Sequence, residues 1–450
     1  MRRFCSILLV VSSLWPALAP GATRPHYGGS LRVAAKETPA SLDPASLAVS
    51  GPIGLSRLVF ETLVTLDDRG QTQPGLATSW QAEPGNQRWR FQLRSGVSFH
   101  DGTILTGNAV SASLRAANPN WKILPAGDAV VIETDSADQG VPAGLALDRN
   151  GIVHRVGAKI SGTGPFSVAH WDPAKHLTLR ANDQYWGGRP FLDSIEVDFG
   201  KDYREQLALL DLGKVDVIQI TPENIHRAQA EGRTIIISEP SKLMALVFPQ
   251  EAKSEDETRA RAALGMSIDT VAINNVVLQG GGTATGALLP NWLTGYAFTF
   301  PSGGGADDAR HERMQIRHPP AWTLGYDSSD PISRVIAERI LLNARDVGIT
   351  LQLSTSGPTD LRLVRIALAS EEPQVALMEL AKDLNLPAPE FSNSSASLYA
   401  AEGSLLQTHR VIPLVHLRSA VALHPIVRDW VILPNGACSV ENVWLSPEKP

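Results

Sequence analysis

A strand–helix–strand pattern over residues 321–354 constrains the fold of this chain more than any other feature. The middle segment, residues 330–348, starts with an aspartate suited to cap a helix, has Pro331 at the first helical position and ends at Gly348. Its apolar residues recur at helical spacing, and the runs AWTLGY and GITLQLS flank it as strands. Strands joined through a helix pair in parallel within one sheet. The sequence therefore predicts an α/β fold.

Periodic patterns elsewhere predict further elements, which we expect to form more than one sheet. Alternation of apolar and polar residues predicts strands at residues 31–35, 89–93, 177–179 and 195–199. Capped apolar patterns predict helices at residues 202–213 and 256–269. Two glycine-rich stretches are interpreted as loops: residues 280–282, and residues 300–315 as a flexible surface loop.

The N-terminus has the pattern of a secretory signal. Arg2 and Arg3 precede an apolar run over residues 5–14, and Ala17 and Ala19 give the small-x-small pattern of a cleavage site. The run is shorter than the roughly 20 residues that a membrane-spanning helix needs. We predict a cleavable signal peptide at residues 1–19 and a periplasmic mature protein. No cysteine follows the cleavage site to carry a lipid, so no lipid anchor is expected.

Composition and motifs argue against several classes of function. The net charge of −6, without a run of Lys or Arg, disfavours nucleic-acid binding. No nucleophile elbow, phosphate-binding loop or zinc-helix motif occurs. His409, His416 and His424 are too widely spaced to converge on a metal without help from the fold. We expect no enzymatic activity, no metal and no cofactor.

Seven segments, taken together and in order, resemble one protein family. They include GGSLRVAAKETPASLDPA at residues 28–45, WRFQLRSGVSFHDGTILTGNAV at 89–110, GTGPF with YWGGRPFLDSIEV within 162–197, and LGKVDVIQ at 212–219. The others lie at residues 58–81, 261–290 and 398–430. The chain is similar to the large extracytoplasmic solute-binding proteins of peptide- and nickel-type ABC importers, that is, bacterial solute-binding protein family 5.

This resemblance implies a two-lobed periplasmic-binding-protein fold of type II, in the large cluster C form. Lobe I would comprise residues 27–45, 157–240 and 425–450, with an extra subdomain, shortened here, at residues 46–156. Lobe II would comprise residues 241–424. The chain would cross between lobes near Pro240 and near His424, as a two-stranded hinge that closes on ligand.

The chain departs from the family pattern in lobe II. It lacks the W-x-x-D-Y-x-D-P-type segment in which peptide-binding members place the acid that pairs with the ligand's ammonium group. The corresponding region offers Glu371, Glu372 and Asp383 in a different context. The acidic ligand contact therefore cannot be carried over.

Fold position alone suggests residues that face the cleft. Glu37 and Thr38 follow the first strand, Tyr326 and Asp327 follow the strand before the predicted 330–348 helix, and the last long strand carries His416 and Arg418. Each of these residues has an equally simple interpretation as a solvated loop residue.

The resemblance implies a monomer that captures a small polar ligand, such as a short peptide, and delivers it to an inner-membrane ABC permease. The alternative is a secreted sensor or scaffold that keeps the binding fold without a transport role. Ligand-dependent closure separates the two hypotheses.

Overall fold

The computed structural model describes residues 24–46, 54–157, 159–303, 305–392 and 394–447. The predicted signal peptide lies outside the described residues. The strands, in chain order, are β1 (Ser30–Ala34), β2 (Val64–Leu66), β3 (Thr72–Pro74), β4 (Ala77–Ala82), β5 (Arg88–Leu93), β6 (Lys122–Ala126), β7 (Ala129–Glu133), β8 (His154–Val156), β9 (Lys159–Ser161), β10 (Phe166–Asp172), β11 (His176–Ala181), β12 (Ser194–Asp198), β13 (Val217–Ile220), β14 (Thr234–Val247), β15 (Gly282–Ala284), β16 (Ala321–Gly325), β17 (Thr350–Ser354), β18 (Leu361–Ala367), β19 (Val411–Leu423), β20 (Val427–Arg428), β21 (Val431–Ile432), β22 (Cys438–Ser439) and β23 (Trp444–Leu445).

The helices, in chain order, are α1 (Leu55–Val59), α2 (Gly107–Ala117), α3 (Val141–Gly144), α4 (Tyr203–Asp211), α5 (Ile225–Ala230), α6 (Glu255–Ser267), α7 (Thr270–Ala272), α8 (Asn291–Thr294), α9 (Ala306–Met314), α10 (Pro331–Asp346), α11 (Pro373–Asp383) and α12 (Ser395–Gln407). No helix in the described ranges is both long enough and apolar enough to cross a membrane. The mixture of parallel strands and helices confirms the predicted α/β class.

One large sheet runs through the molecule in the order β10-β11-β12-β1-β13-β19-β14-β18-β16-β17, and β15 adds to β19. We call β10, β11, β12, β1 and β13 the first half of this sheet, and β18, β16 and β17 the second half. Separate sets of buried residues cover the two halves, around Leu31 and Val33 in the first and around Leu324 and Ile336 in the second.

The two halves are joined by the long strands β14 and β19. Their pairing is irregular between Ile237 and Pro240 and again between Pro240 and Lys242. Pro240 lacks an N–H and cannot donate to the ladder. Its carbonyl oxygen accepts from Nε1 of Trp292 at 2.8 Å. We call residues 238–241 of β14, with Arg418 and Ser419 of β19, the strand break.

The strand–helix–strand unit forms as predicted. The side chain of Asp330 caps α10 by accepting from the backbone N–H of Ile332, and Gly348 follows the helix with φ of 80°. β16 and β17 pair in parallel, with Ala321 opposite Thr350. The local signals of cap, proline and glycine were sufficient here because none of them depends on distant packing.

The interpretation of residues 300–315 as a flexible loop is wrong, because α9 occupies Ala306–Met314. Asp307 and Asp308 lie in its first turn, where carboxylates interact favourably with the helix N-terminus. Ala309 is fully buried in the core of the second half. Tertiary packing therefore stabilises a helix whose glycine-rich start looks like a loop.

Residues 63–152 build a core of their own around Phe91, Val110 and Ile132. It is covered by the sheet β4-β5-β7-β6 and by α2. Thr106 caps α2 by accepting from the N–H of Ala109. We call residues 63–152 the small-sheet unit.

Candidate functional site

Strand directions bring the carboxyl ends of both halves to the strand break. β1 is parallel to β12 and β13, and β13 ends with Ile220 opposite Ala420 of β19, beside the break. β18 is antiparallel to β14 and ends with Ala367 opposite Lys242, on the other side of the break. β16 and β17 run in the same direction as β18. In open α/β sheets, ligands bind outside the carboxyl ends of the strands, so the space over the break is the candidate cleft.

A direct contact shows that the two edges meet. Nζ of Lys36, which follows β1, donates to the carbonyl oxygen of Ser329, which follows β16, at 3.1 Å. These residues come from opposite halves of the sheet. The cleft is therefore lined by the loops after β1 and β16 and floored by the strand break.

On the side of the first half, the predicted residues Glu37 and Thr38 follow β1 beside Lys36. Glu37 is exposed and Thr38 is half-buried. In the described part of the chain, Glu37 makes no hydrogen bond or ion pair. Burial lowers the pKa of Lys242, and the negative charge of Glu37 partly opposes this shift. This places a free carboxylate near the floor of the cleft.

On the side of the second half, Tyr326 and Asp327 follow β16. The ring of Tyr326 packs partly buried against the core of this half. Asp327 is exposed and accepts from the hydroxyl and the N–H of Ser329 at 2.7 and 2.8 Å. These hydrogen bonds, with help from Lys36 and Arg365, hold the pKa of Asp327 below its usual value. Asp327 therefore shapes the loop that touches Lys36.

The two candidates on β19 have different surroundings. His416 is 4% exposed, and its Nε2 lies 3.0 Å from the carbonyl oxygen of Leu288. β15 pairs with β19 beside it, with Thr283 opposite His416. The structure corrects this candidate, because a solute in the cleft has no access to its ring. Arg418 is half-buried at the strand break, with Nη1 3.4 Å from the carbonyl oxygen of Ser238.

Sequence reasoning missed two cations beside the cleft, Lys242 and Arg365. Burial lowers the pKa of Lys242, and the nearby Arg365 lowers it further. Arg365 pairs with Asp330 at 2.6 Å. The only signal in the sequence was a basic residue at an inward position of each strand, in SKLMALV and LRLVRIA. Only the β14–β18 register places the two together.

The acidic residues noted in place of the missing motif have structural roles. Glu372 caps α11 by accepting from Val375 N at 2.7 Å. Glu371 is 6% exposed, and burial raises its pKa while Arg57 opposes the shift. Asp383 ends α11, where burial and the charge of Glu379 raise its pKa.

A second contact joins the small-sheet unit to the second half of the large sheet. Nη2 of Arg149 donates to Oε1 of Glu379 at 2.9 Å, and Nη1 contacts the other carboxylate oxygen. An apolar cluster lies beside this pair and consists of Leu66, Ala143, Leu147, Ala369 and Val375. The small-sheet unit and α11 thus form a further interface away from the strand break.

The described ranges contain no group of three or more His, Cys, Asp or Glu side chains arranged to hold a metal ion. The described residues around the cleft instead supply four cations, Lys36, Lys242, Arg365 and Arg418, and four carboxylates, Glu37, Glu239, Asp327 and Asp330. Such a site is suited to bind a polar solute through ion pairs and hydrogen bonds.

Comparison with known proteins gives a consistent result. Residues 71–400 match the family described as bacterial extracellular solute-binding proteins, family 5 Middle. The probable D,D-dipeptide-binding periplasmic protein DdpA of Escherichia coli (strain K12) is 23% identical over 350 residues, covering 70% of this chain and 68% of that protein. The uncharacterized protein YhjP of Bacillus subtilis (strain 168) is 33% identical over 184 residues, covering 38% of this chain and 32% of that protein.

A solved structure shows the same fold. The dipeptide-binding protein of Pseudoalteromonas sp. SM9913, in complex with Met-Leu, superposes with a TM-score of 0.80 at 17% identity, covering 93% of this chain and 100% of that one. The matches to the two curated relatives span about one third and two thirds of their length. Because the family model matches most of the chain, the protein belongs to the bacterial extracellular solute-binding proteins of family 5.

Proposed function

We propose that this protein is the solute-binding component of an ABC importer. It captures a small polar solute, such as a short peptide, between two lobes and delivers it to an inner-membrane permease. One observation carries the proposal. Strands of both halves have their carboxyl ends at the strand break, where β14 and β19 pass from one half of the sheet to the other. The family consists of solute-binding proteins, so the chain is a binding protein and not an enzyme.

In this proposal the two halves of the large sheet are the cores of the two lobes. Lobe I comprises residues 27–45, 157–240 and 425–450, the extra subdomain residues 46–156, and lobe II residues 241–424. The irregular pairing at the strand break supports hinge motion there, because a ladder with interrupted register bends more easily than a regular one. Binding of a solute that touches both lobes would shift the population toward the closed form.

The proposed setting is the periplasm, reached through a cleavable signal peptide at residues 1–19 and without a lipid anchor. The family is extracellular by description. We expect a monomer that binds no nucleic acid, in line with the net charge of −6.

A sensor or scaffold without transport is the second candidate. The Arg149–Glu379 pair and the apolar cluster beside it favour this candidate, because they join the small-sheet unit to α11 without any solute. In that case solute would change the separation of the lobes little.

Distance measurement between two labels separates these functions. Lys175, with a side chain 77% exposed, lies in the first half, and Met314, 77% exposed, lies in the second. Both accept a cysteine for spin labelling. The native Cys438 is buried, and burial raises the pKa of its thiol to about 12, so it will not react with the label.

The transport proposal predicts that the 175–314 distance shortens when a periplasmic extract is added, and that native mass spectrometry finds the same solute on the purified protein. A control pair at Lys175 and Leu212, both in the first half, should not change. An unchanged 175–314 distance with every extract and peptide would contradict the transport proposal.

A further inference from the structure

We infer that the solute carries a carboxylate, and that Lys242 binds this group at the floor of the cleft. This inference rests on the proposed function and adds the chemical class of the ligand. It is carried by the position of Lys242, by its lack of a partner and by the other charges around it.

Lys242 lies at the meeting point of the two halves. It is the first residue of β14 beyond the strand break, opposite Ala367 of β18 and Leu417 of β19. Side chains alternate along a strand, so that of Lys242 shares a face with that of Met244. Arg365 is opposite Met244 and lies on the same face. The register therefore sets two cations side by side at the carboxyl end of β18.

Among the residues that the structure describes, none is a direct partner of the Lys242 ammonium group. It makes no hydrogen bond and no ion pair within 4 Å in the part of the chain that the structure describes. The residue is half-buried, and burial disfavours its charged form. A partly desolvated ammonium without an anion is costly, whereas a carboxylate beside it would offset that cost.

The neighbouring carboxylates are committed elsewhere or too far to pair. Asp330 binds Arg365 at 2.6 Å, and Asp327 binds Ser329. Glu37 influences the pKa of Lys242 but lies beyond ion-pair distance from it. In this proposal a solute carboxylate supplies the partner that Lys242 lacks among the described residues.

The test compares solutes that differ only in this charge. The probes are dipeptides including Met-Leu, each as the free acid and as the C-terminal amide, titrated by calorimetry and followed with the 175–314 label pair. If a periplasmic extract closes the cleft and no dipeptide does, the solute released from the protein is identified by mass spectrometry and converted to its amide.

We expect the free acid to bind roughly 10- to 100-fold more tightly than the amide, the range for loss of a charged hydrogen bond. Lys242→Met should remove this preference, and Lys242→Arg should retain most of it. The matched control is Lys214→Met, which removes the same charge at an exposed turn outside the cleft. A circular dichroism melt checks that each variant is folded.

Equal affinity for acid and amide, a preference that survives in Lys242→Met, or a released solute without a carboxylate would overturn the inference and leave the proposed function intact. Absence of closure with every probe and extract would overturn both. If Lys242 instead closes the lobes by pairing with Glu37, Glu37→Gln would lengthen the 175–314 distance without solute, and acid and amide would bind alike.

Discussion

Glu402 and His416 bind the two backbone polar groups of the same residue, Leu288. Oε1 of Glu402 accepts from the N–H of Leu288 at 2.6 Å, and Nε2–H of His416 donates to its carbonyl oxygen at 3.0 Å. Both side chains are buried, at 0% and 4% exposure. The segment they hold leads to Trp292, which donates to Pro240 at the strand break. This buried pair therefore supports the wall of the proposed hinge.

The two groups respond to pH in opposite senses. Burial raises the pKa of Glu402 to about 7, from an ordinary 4.5, and lowers that of His416 to about 4, from 6.5. Folding thus favours the neutral form of each. The stabilising contribution of neutral Glu402 is complete below pH 4.5 and is lost as pH rises toward 7. That of neutral His416 is complete above pH 6.5 and is lost as pH falls toward 4.

Glu402→Gln should remove the loss of stability that ionisation of Glu402 causes as pH rises toward 7. The amide oxygen can still accept from Leu288 and Leu289, and no charge forms in the core. Relative to the unmodified protein, we expect the variant to gain on the order of 2–3 kcal/mol of unfolding free energy between pH 5 and pH 8. Guanidinium melts at several pH values measure this. Parallel pH profiles for the two proteins would show that Glu402 does not titrate in this range.

His416→Gln should reduce the loss of stability at low pH, whereas Glu402→Gln reduces the loss at high pH. Without a group that must stay neutral, the variant is expected to lose less stability than the unmodified protein between pH 6.5 and pH 4, by on the order of 2–3 kcal/mol. At pH 7 a weakened bond to Leu288 costs about 1 kcal/mol. The same melts test this, and a variant that remains as acid-sensitive as the unmodified protein would contradict the assignment.

The Arg149–Glu379 pair should contribute measurably to the interface between the small-sheet unit and α11. Its side chains are 24% and 12% exposed, and the contact is bidentate. A double-mutant cycle with Arg149→Met and Glu379→Gln is expected to give a coupling energy of about 1–3 kcal/mol. The exposed pair Arg310–Asp307, both residues of α9, serves as control and should give less than about 0.5 kcal/mol. Equal coupling energies would mean that the interface is solvated.

Local signals in the sequence predicted much of the fold. The 330–348 helix and its flanking strands were predictable because cap, proline and glycine act within a few residues. α9 was not, because its stability comes from burial of Ala309 against distant residues. The family resemblance supplied the two-lobed arrangement, which no local pattern encodes.

The cleft was predictable only in part. Glu37 and Asp327 could be proposed because they follow strands whose carboxyl ends lie at the cleft. The burial of the His416 ring against the carbonyl oxygen of Leu288 was not predictable, because this long-range contact leaves no pattern in the sequence. Lys242 and Arg365 were missed because they become neighbours only through the β14–β18 register. Charges that converge through long-range pairing leave little trace in one sequence.

A substitution at Gly70 tests whether the small-sheet unit packs closely against the backbone that leads into α11. It lies in the turn between β2 and β3 with φ of +72°, and a Cβ there would be 2.3 Å from the carbonyl oxygen of Glu371. That oxygen belongs to the backbone and cannot move aside like a flexible side chain. Gly70→Ala should therefore separate the turn from residues 371–372, in addition to straining its own backbone.

Gly127 provides the matched control. It lies in the turn between β6 and β7 with φ of +70°, and a Cβ there would meet nothing within 4 Å. Gly127→Ala is expected to cost about 1–2 kcal/mol from backbone strain alone. Gly70→Ala should cost more and should also abolish the coupling between Arg149 and Glu379, because the same interface opens. Equal losses in the two variants, with that coupling retained in Gly70→Ala, would mean that the turn and α11 are not in contact in solution.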